Sequence, residues 1–193
     1  MLTSSPLCYH YEKILRNDLL LKCYYNNVME VPRLRQINLF SQVPINSLKS
    51  VSLALEVLCG QKSVEKCEAP NAKTLRQLKS SQKATKNRSS YNIRGASHFH
   101  YQVRISLRSQ MMYNFLEKLI VTVLRSSSDY TFQIQSNTIQ FTLGPSELRL
   151  FPEIQNHFEF FESAQNLHII LVTSALTEKE TQLLWTGFLQ KEI

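Results

Sequence analysis

Apolar residues recur at two different periods along this chain, and the two periods divide it into helices and strands. Tyr11, Ile14, Leu15 and Leu19 fall at helical spacing within residues 8–25, with Asn26-Asn27 as the predicted stop. Residues 28–31 are extended ahead of Pro32 and lead into a predicted strand over residues 33–40. Leu48, Val51, Leu55, Leu58 and Cys59 define a second amphipathic helix, closed by Gly60. A short strand is expected after Gln61. From residue 98 to residue 108 the alternation is clean. Phe99, Tyr101, Val103, Ile105 and Leu107 point one way, and His98, His100, Gln102, Arg104, Ser106 and Arg108 point the other. That strand therefore has one face on a core and one polar, basic face.

Met112, Phe115, Leu116, Leu119, Ile120 and Val123 mark a third helix. Residues 130–135 and 138–143 read as strands, a short helical piece falls near residues 146–150, and residues 167–173 form a strongly β-prone run. A last helix starts at about Glu178, where Thr177 and Glu180 are spaced as a capping box. The order of elements predicts an α+β, two-layer fold: a largely antiparallel sheet with helices packed on one face. Residues 1–193 are read as a single domain. Residues 68–97 lack apolar periodicity and are rich in Lys, Ser, Asn and Gln, so they are predicted to form a long, mobile, basic loop.

Charge sharpens this picture. The chain carries a formal +7, but its excess is local. Between Glu68 and Glu117 there is no acidic residue, while Lys73, Arg76, Lys79, Lys83, Lys86, Arg88, Arg94, Arg104 and Arg108 all fall there. A one-signed field on an otherwise near-neutral chain suits a polyanion-binding surface. Arg and Lys match phosphate oxygens, and Gln102 and Ser106 add hydrogen-bonding capacity beside them.

Other chemistries are poorly served. The only glycines are Gly60, Gly95, Gly144 and Gly187, so no phosphate-cradling glycine loop or nucleophile elbow can form. Cys8, Cys23, Cys59 and Cys67 include no C-x-x-C pair, which favours buried or incidental thiols over a metal or disulfide half-site at Cys59 and Cys67. His98 and His100 share a strand face but have no third ligand nearby in sequence. Neither a catalytic constellation nor a cofactor is expected. No run of 18 apolar residues suggests a membrane span. The first residues show neither a secretory hydrophobic region nor an Arg-rich, acid-free presequence. The expectation is a protein made where it works, or one whose targeting segment has been removed.

Short motifs then add a resemblance. Asn26-Asn27-Val28-Met29-Glu30-Val31-Pro32-Arg33 resembles the N-x-V-M-x-V-P-R junction of the ribosomal protein L-five family. In family order, Cys59-Gly60-Gln61-Lys62 resembles its S-G-Q-K turn and Arg104-Ile105-Ser106-Leu107-Arg108 its K-V-T-L-R strand. Phe115-Leu116-Glu117-Lys118-Leu119-Ile120 resembles the helix that follows, and Phe151-Pro152-Glu153-Ile154 its F-P-E-I. Phe158-Glu159-Phe160-Phe161-Glu162 and residues 184–191 are similar to the plant-type mitochondrial branch.

The resemblance implies a structural protein of the mitochondrial large ribosomal subunit that binds 5S rRNA in the central protuberance. Its members can be encoded within the organelle. It implies rRNA contacts at Asn27, Arg33, Gln61, Lys62, Arg104, Ser106 and Arg108. It also implies that the loop bearing Lys73, Arg76, Lys79, Lys83, Lys86, Arg88 and Arg94 approaches P-site tRNA or rRNA. Further implied partners are large-subunit rRNA, neighbouring ribosomal proteins and a small-subunit bridge protein. There are departures. Phe40-Ser41-Gln42 stands where the family has Asn-x-Gly, so one RNA-contacting amide is replaced. Asn166 and His168 replace a Gly and an Asp, and the family loop's G-F-K-I-R-Q-G character gives way to a Lys-rich stretch. On charge alone, a free-standing RNA-binding assembly factor and an enzyme acting on nucleic acid are the competing readings. The enzyme would require a convergent acid–base or metal site.

Overall fold

A computed structural model describes residues 5–67, 100–125, 132–156, 158–160 and 166–189. Pro6, at a first-turn position where its missing N–H costs nothing, opens α1. This rod consists of Pro6–His10, a π-helical turn Tyr11–Leu15, and Arg16–Cys23. It ends where Tyr24 adopts a left-handed φ of 52°, earlier than the Asn26-Asn27 stop that the sequence suggests. The other helices are α2 (Leu48–Cys59), α3 (Ser109–Leu119, continued by a π-helical turn Ile120–Leu124), α4 (Pro145–Leu148), α5 (Pro152–Gln155) and α6 (Glu178–Leu189).

Six strands form one sheet: β1 (Leu34–Pro44), β2 (Val64–Cys67), β3 (His100–Leu107), β4 (Gln133–Ile134), β5 (Thr138–Leu143) and β6 (Leu167–Thr173). Their order is β2-β3-β1-β6-β5-β4, and every neighbouring pair is antiparallel. The expected α+β architecture is therefore present. β1 runs on to Pro44 rather than stopping at Phe40, because Gln42 and Val43 continue the alternation and pair with Gln102 and Tyr101.

Period-2 alternation sorts each strand by face. Ile37, Leu39, Val43, Val103, Ile105, Leu107, Ile169 and Leu171 are all buried, and they share one core with Leu55 and Leu58 of α2 and Leu116 and Leu119 of α3. The helices thus cover one face. On the other, Arg104, Gln42 and Thr142 are exposed, so that face is open among the described residues.

Two glycines are fixed by geometry. Gly60 ends α2 with a φ of +66°, a conformation that L side chains rarely adopt. Gly187 lets α6 approach α1, where a Cβ would overlap the buried Leu15 side chain. Beside that crossing Tyr11 stacks on Phe188 with centroids 6.0 Å apart. Gly187→Val should therefore cost about 2–3 kcal/mol through overpacking, lowering the melting temperature by roughly 4–12 °C. Calorimetry checks this; an unchanged midpoint would mean the helices can part without penalty. At the far side of the core, Lys118 pairs with Glu153 and ties α3 to α5. Burial alone would raise Glu153, but Lys118's hydrogen bond and charge hold its carboxyl below the ordinary value.

Candidate nucleic-acid interface

The register of the sheet turns the open face into ladders of adjacent side chains. One ladder crosses five strands as Val64, Arg104, Phe40, His168 and Thr142. The next runs Ser106, Asn38, Ile170, Gln140 and Gln133. No described strand position on this face is acidic, whereas Lys66 and Arg104 are cationic and Arg108 extends the same row beyond β3. Arg104, whose guanidinium carries five donors, makes no hydrogen bond or ion pair among the described residues. Arg108 donates from Nε and Nη2 to Gln36 Oε1 at 3.3 and 3.1 Å, which aims its guanidinium along the face.

Where β1 and β3 meet α1, the face opens into a cleft of about 1030 Å³. Arg16, Arg33, Arg35 and Arg108 line it, opposed by the single carboxylate of Glu12. Three local features build this cleft. A register shift between Leu34 and Gln36 takes Arg35 out of the strand alternation. Ser109 holds a left-handed φ of 51° at the corner between β3 and α3, and such a conformation costs about 1–3 kcal/mol in a non-glycine residue. The π-helical turn of α1 places Tyr11 in the wall, its hydroxyl donating to Pro32 O at 3.0 Å. Burial raises the Tyr11 and Tyr113 phenols, partly offset by Arg16 and Arg33 at Tyr11 and by Arg33 at Tyr113. Both phenols therefore stay neutral hydrogen-bond donors beside concentrated positive charge.

Comparison with known proteins identifies the lineage. Residues 100–190 match the family model for the C-terminus of ribosomal protein L5. The chain is 31% identical over 187 residues to large ribosomal subunit protein uL5m of Reclinomonas americana, covering 93% of each chain. The chain belongs to the uL5 family of ribosomal proteins. It is also 28% identical to uL5 of Bordetella avium, over 92% of this chain and 93% of that one. Its identity to uL5 of Clostridium botulinum is 32%, with 89% of each covered. This family consists of structural proteins, not enzymes.

The structure distributes the sequence-predicted contacts of this uL5 chain unevenly. Arg104 and Ser106 lie side by side on the open face, and Arg108 links that face to the cleft, where Arg33 also sits. Ser106 Oγ donates to Asn38 Oδ1 at 2.8 Å, so its hydroxyl offers an RNA only acceptor capacity. Asn27 is occupied locally, its Oδ1 accepting from Met29 N at 3.0 Å as an N-cap. Gln61 and Lys62 are exposed in the turn that enters β2, at the sheet edge. Lys73, Arg76, Lys79, Lys83, Lys86, Arg88 and Arg94 lie outside the described residues, as does His98. The side chains of His100 and Cys67 do as well. Burial pushes the Cys59 thiol up to about 12, consistent with an inert structural cysteine. No cluster of three metal-ligating side chains occurs among the described residues.

Sequence reasoning missed Arg16, Arg35 and Asn38. Asn38 was within reach: it lies two residues before Phe40 and must share its face. Its amide NH₂ has no partner among the described residues, which supplies a donor one ladder step from Phe40. Arg16, Arg108 and the neighbouring Arg33 and Arg35 come from three separate parts of the chain, and no spacing in the sequence brings those parts together.

Proposed function

We propose that this uL5 protein is a structural constituent of the mitochondrial large ribosomal subunit that holds 5S rRNA on its open sheet face. The observation that carries the reading is a sheet face left open, without a described acidic strand residue, on which Arg104 has no partner among the described residues and Arg108 is held along the face by Gln36. Guanidinium groups fit phosphate oxygens bidentately, and each phosphate they neutralise releases condensed counterions. The cleft beside Arg108 adds Arg16, Arg33 and Arg35 to the same positive surface. Asn27, Gln61 and Lys62 would contact the RNA at its margins. The relative from Reclinomonas americana is named as the mitochondrial form, uL5m, which supports a place in the organelle's ribosome.

The segment from residue 68 to residue 97 would reach further RNA, either large-subunit rRNA or P-site tRNA. Its lysines and arginines would neutralise phosphates rather than read bases. Neighbouring ribosomal proteins and a small-subunit bridge protein complete the proposed surroundings. We read residues 1–193 as one domain, which the one hydrophobic core shared by the described residues supports.

Binding of about five phosphates predicts that log affinity for 5S rRNA falls with log salt at a slope of roughly −4. A salt titration of the purified chain measures this directly; a salt-insensitive complex would contradict it. In organelle extracts at moderate salt the protein should sediment with assembled large subunits. A wholly free pool would instead point to an assembly factor.

A further inference from the structure

Phe40 and His168 come from distant parts of the chain, yet they are register partners on β1 and β6. Their rings stack on the open face, with centroids 4.8 Å apart and planes 19° from parallel. Both are half-buried. Thr142 Oγ1 lies 3.1 Å from His168 Nδ1, a hydrogen bond that fixes the imidazole's orientation whichever tautomer is present. On the other side of Phe40, the next residue in the ladder is Arg104, whose guanidinium is unpaired among the described residues.

We infer that the Phe40–His168 stack is a platform for an unpaired RNA base, held by stacking and flanked by Arg104. This rests on the RNA-face reading above and adds to it the class of RNA feature that is recognised. A paired base has both faces covered by its helix neighbours, so only a base in a loop or bulge can add to a protein stack. Stacking on an aromatic ring tolerates any base, because every base has a π-face. The planar guanidinium of Arg104 can cover the base or bind its phosphate. The neighbouring polar positions, Ser106 and Asn38, lie one ladder step away and can meet the ribose.

A cross-strand aromatic pair also stabilises a sheet without any ligand, and the experiment separates the two roles. The full chain is titrated with two probes at fixed salt. One is a 5S-derived stem-loop with 2-aminopurine placed in its unpaired loop, and the other is a blunt duplex of equal length. Phe40→Leu keeps the apolar bulk but removes the ring. It should weaken stem-loop binding about tenfold and leave duplex binding within about twofold. Wild type should quench the 2-aminopurine, Phe40→Leu should not, and Phe40→Trp should restore both affinity and quenching. His168→Leu is the second variant and should reproduce the Phe40→Leu pattern. Equal affinities for wild type and Phe40→Leu, equal losses on both RNAs, or no quenching in wild type would each overturn the platform. If the wild-type chain bound neither RNA, the RNA-face reading itself would fall.

Discussion

Replacing Arg104 and Arg108 together with alanine should weaken 5S rRNA binding by roughly 10- to 100-fold near physiological salt, taking about 1.5–3 kcal/mol per charged hydrogen bond as an upper guide. The salt slope should flatten by about two units, one for each phosphate that is no longer neutralised. Both side chains are exposed, and neither contributes to the core. Truncating them should therefore change stability by only about 0.5 kcal/mol in either direction. Filter binding over a salt series, with a melting curve on the same preparation, reads both quantities. Unchanged affinity with an intact fold would mean that the RNA face has been misassigned.

Ile105→Ala, one residue away, should do the reverse. Ile105 is 1% exposed, opposite Leu39 at 0%, in the middle of the strand layer. Losing its branched side chain leaves a cavity between sheet and helices, at a cost of about 2–5 kcal/mol. For a chain of this size that corresponds to a fall in melting temperature of roughly 4–20 °C. Below the new transition, 5S rRNA affinity should stay within about threefold of wild type, because Arg104 and Ser106 keep their positions on the opposite face. Calorimetry and binding at low temperature test the two halves. A large loss of affinity in the folded variant would show that the two faces are not independent.

The contrast between those substitutions follows from a pattern already visible in the sequence. Alternation through Val103, Ile105 and Leu107 was enough to separate the core face from the open, basic face. Local rules were equally legible: Gly60 closes α2, and Thr177 and Glu180 form a capping box with reciprocal hydrogen bonds of 3.4 Å. Strand order was not legible, because antiparallel strands with similar alternation can be arranged in several ways. That order is what makes Phe40 and His168 neighbours. The arginine cleft was hidden for a related reason. Arg35 leaves the alternation at an irregularity in β1, and Arg16 reaches the cleft only because α1 packs beside the strand ends. The end of α1 was misjudged because Tyr24 adopts a left-handed conformation usually left to Gly or Asn. The densest positive charge, from Lys73 to Arg94, was the plainest signal in the sequence, and its placement lies outside the described residues.

Ultraviolet crosslinking of the chain within intact organelle ribosomes, with both the RNA and the peptide identified by sequencing and mass spectrometry, tests the 5S assignment most directly. Crosslinks should join 5S rRNA to peptides of β1 and β3 containing Phe40 and Arg104. Crosslinks from those peptides to another RNA alone, or 5S crosslinks confined to the helical side of the sheet, would contradict it.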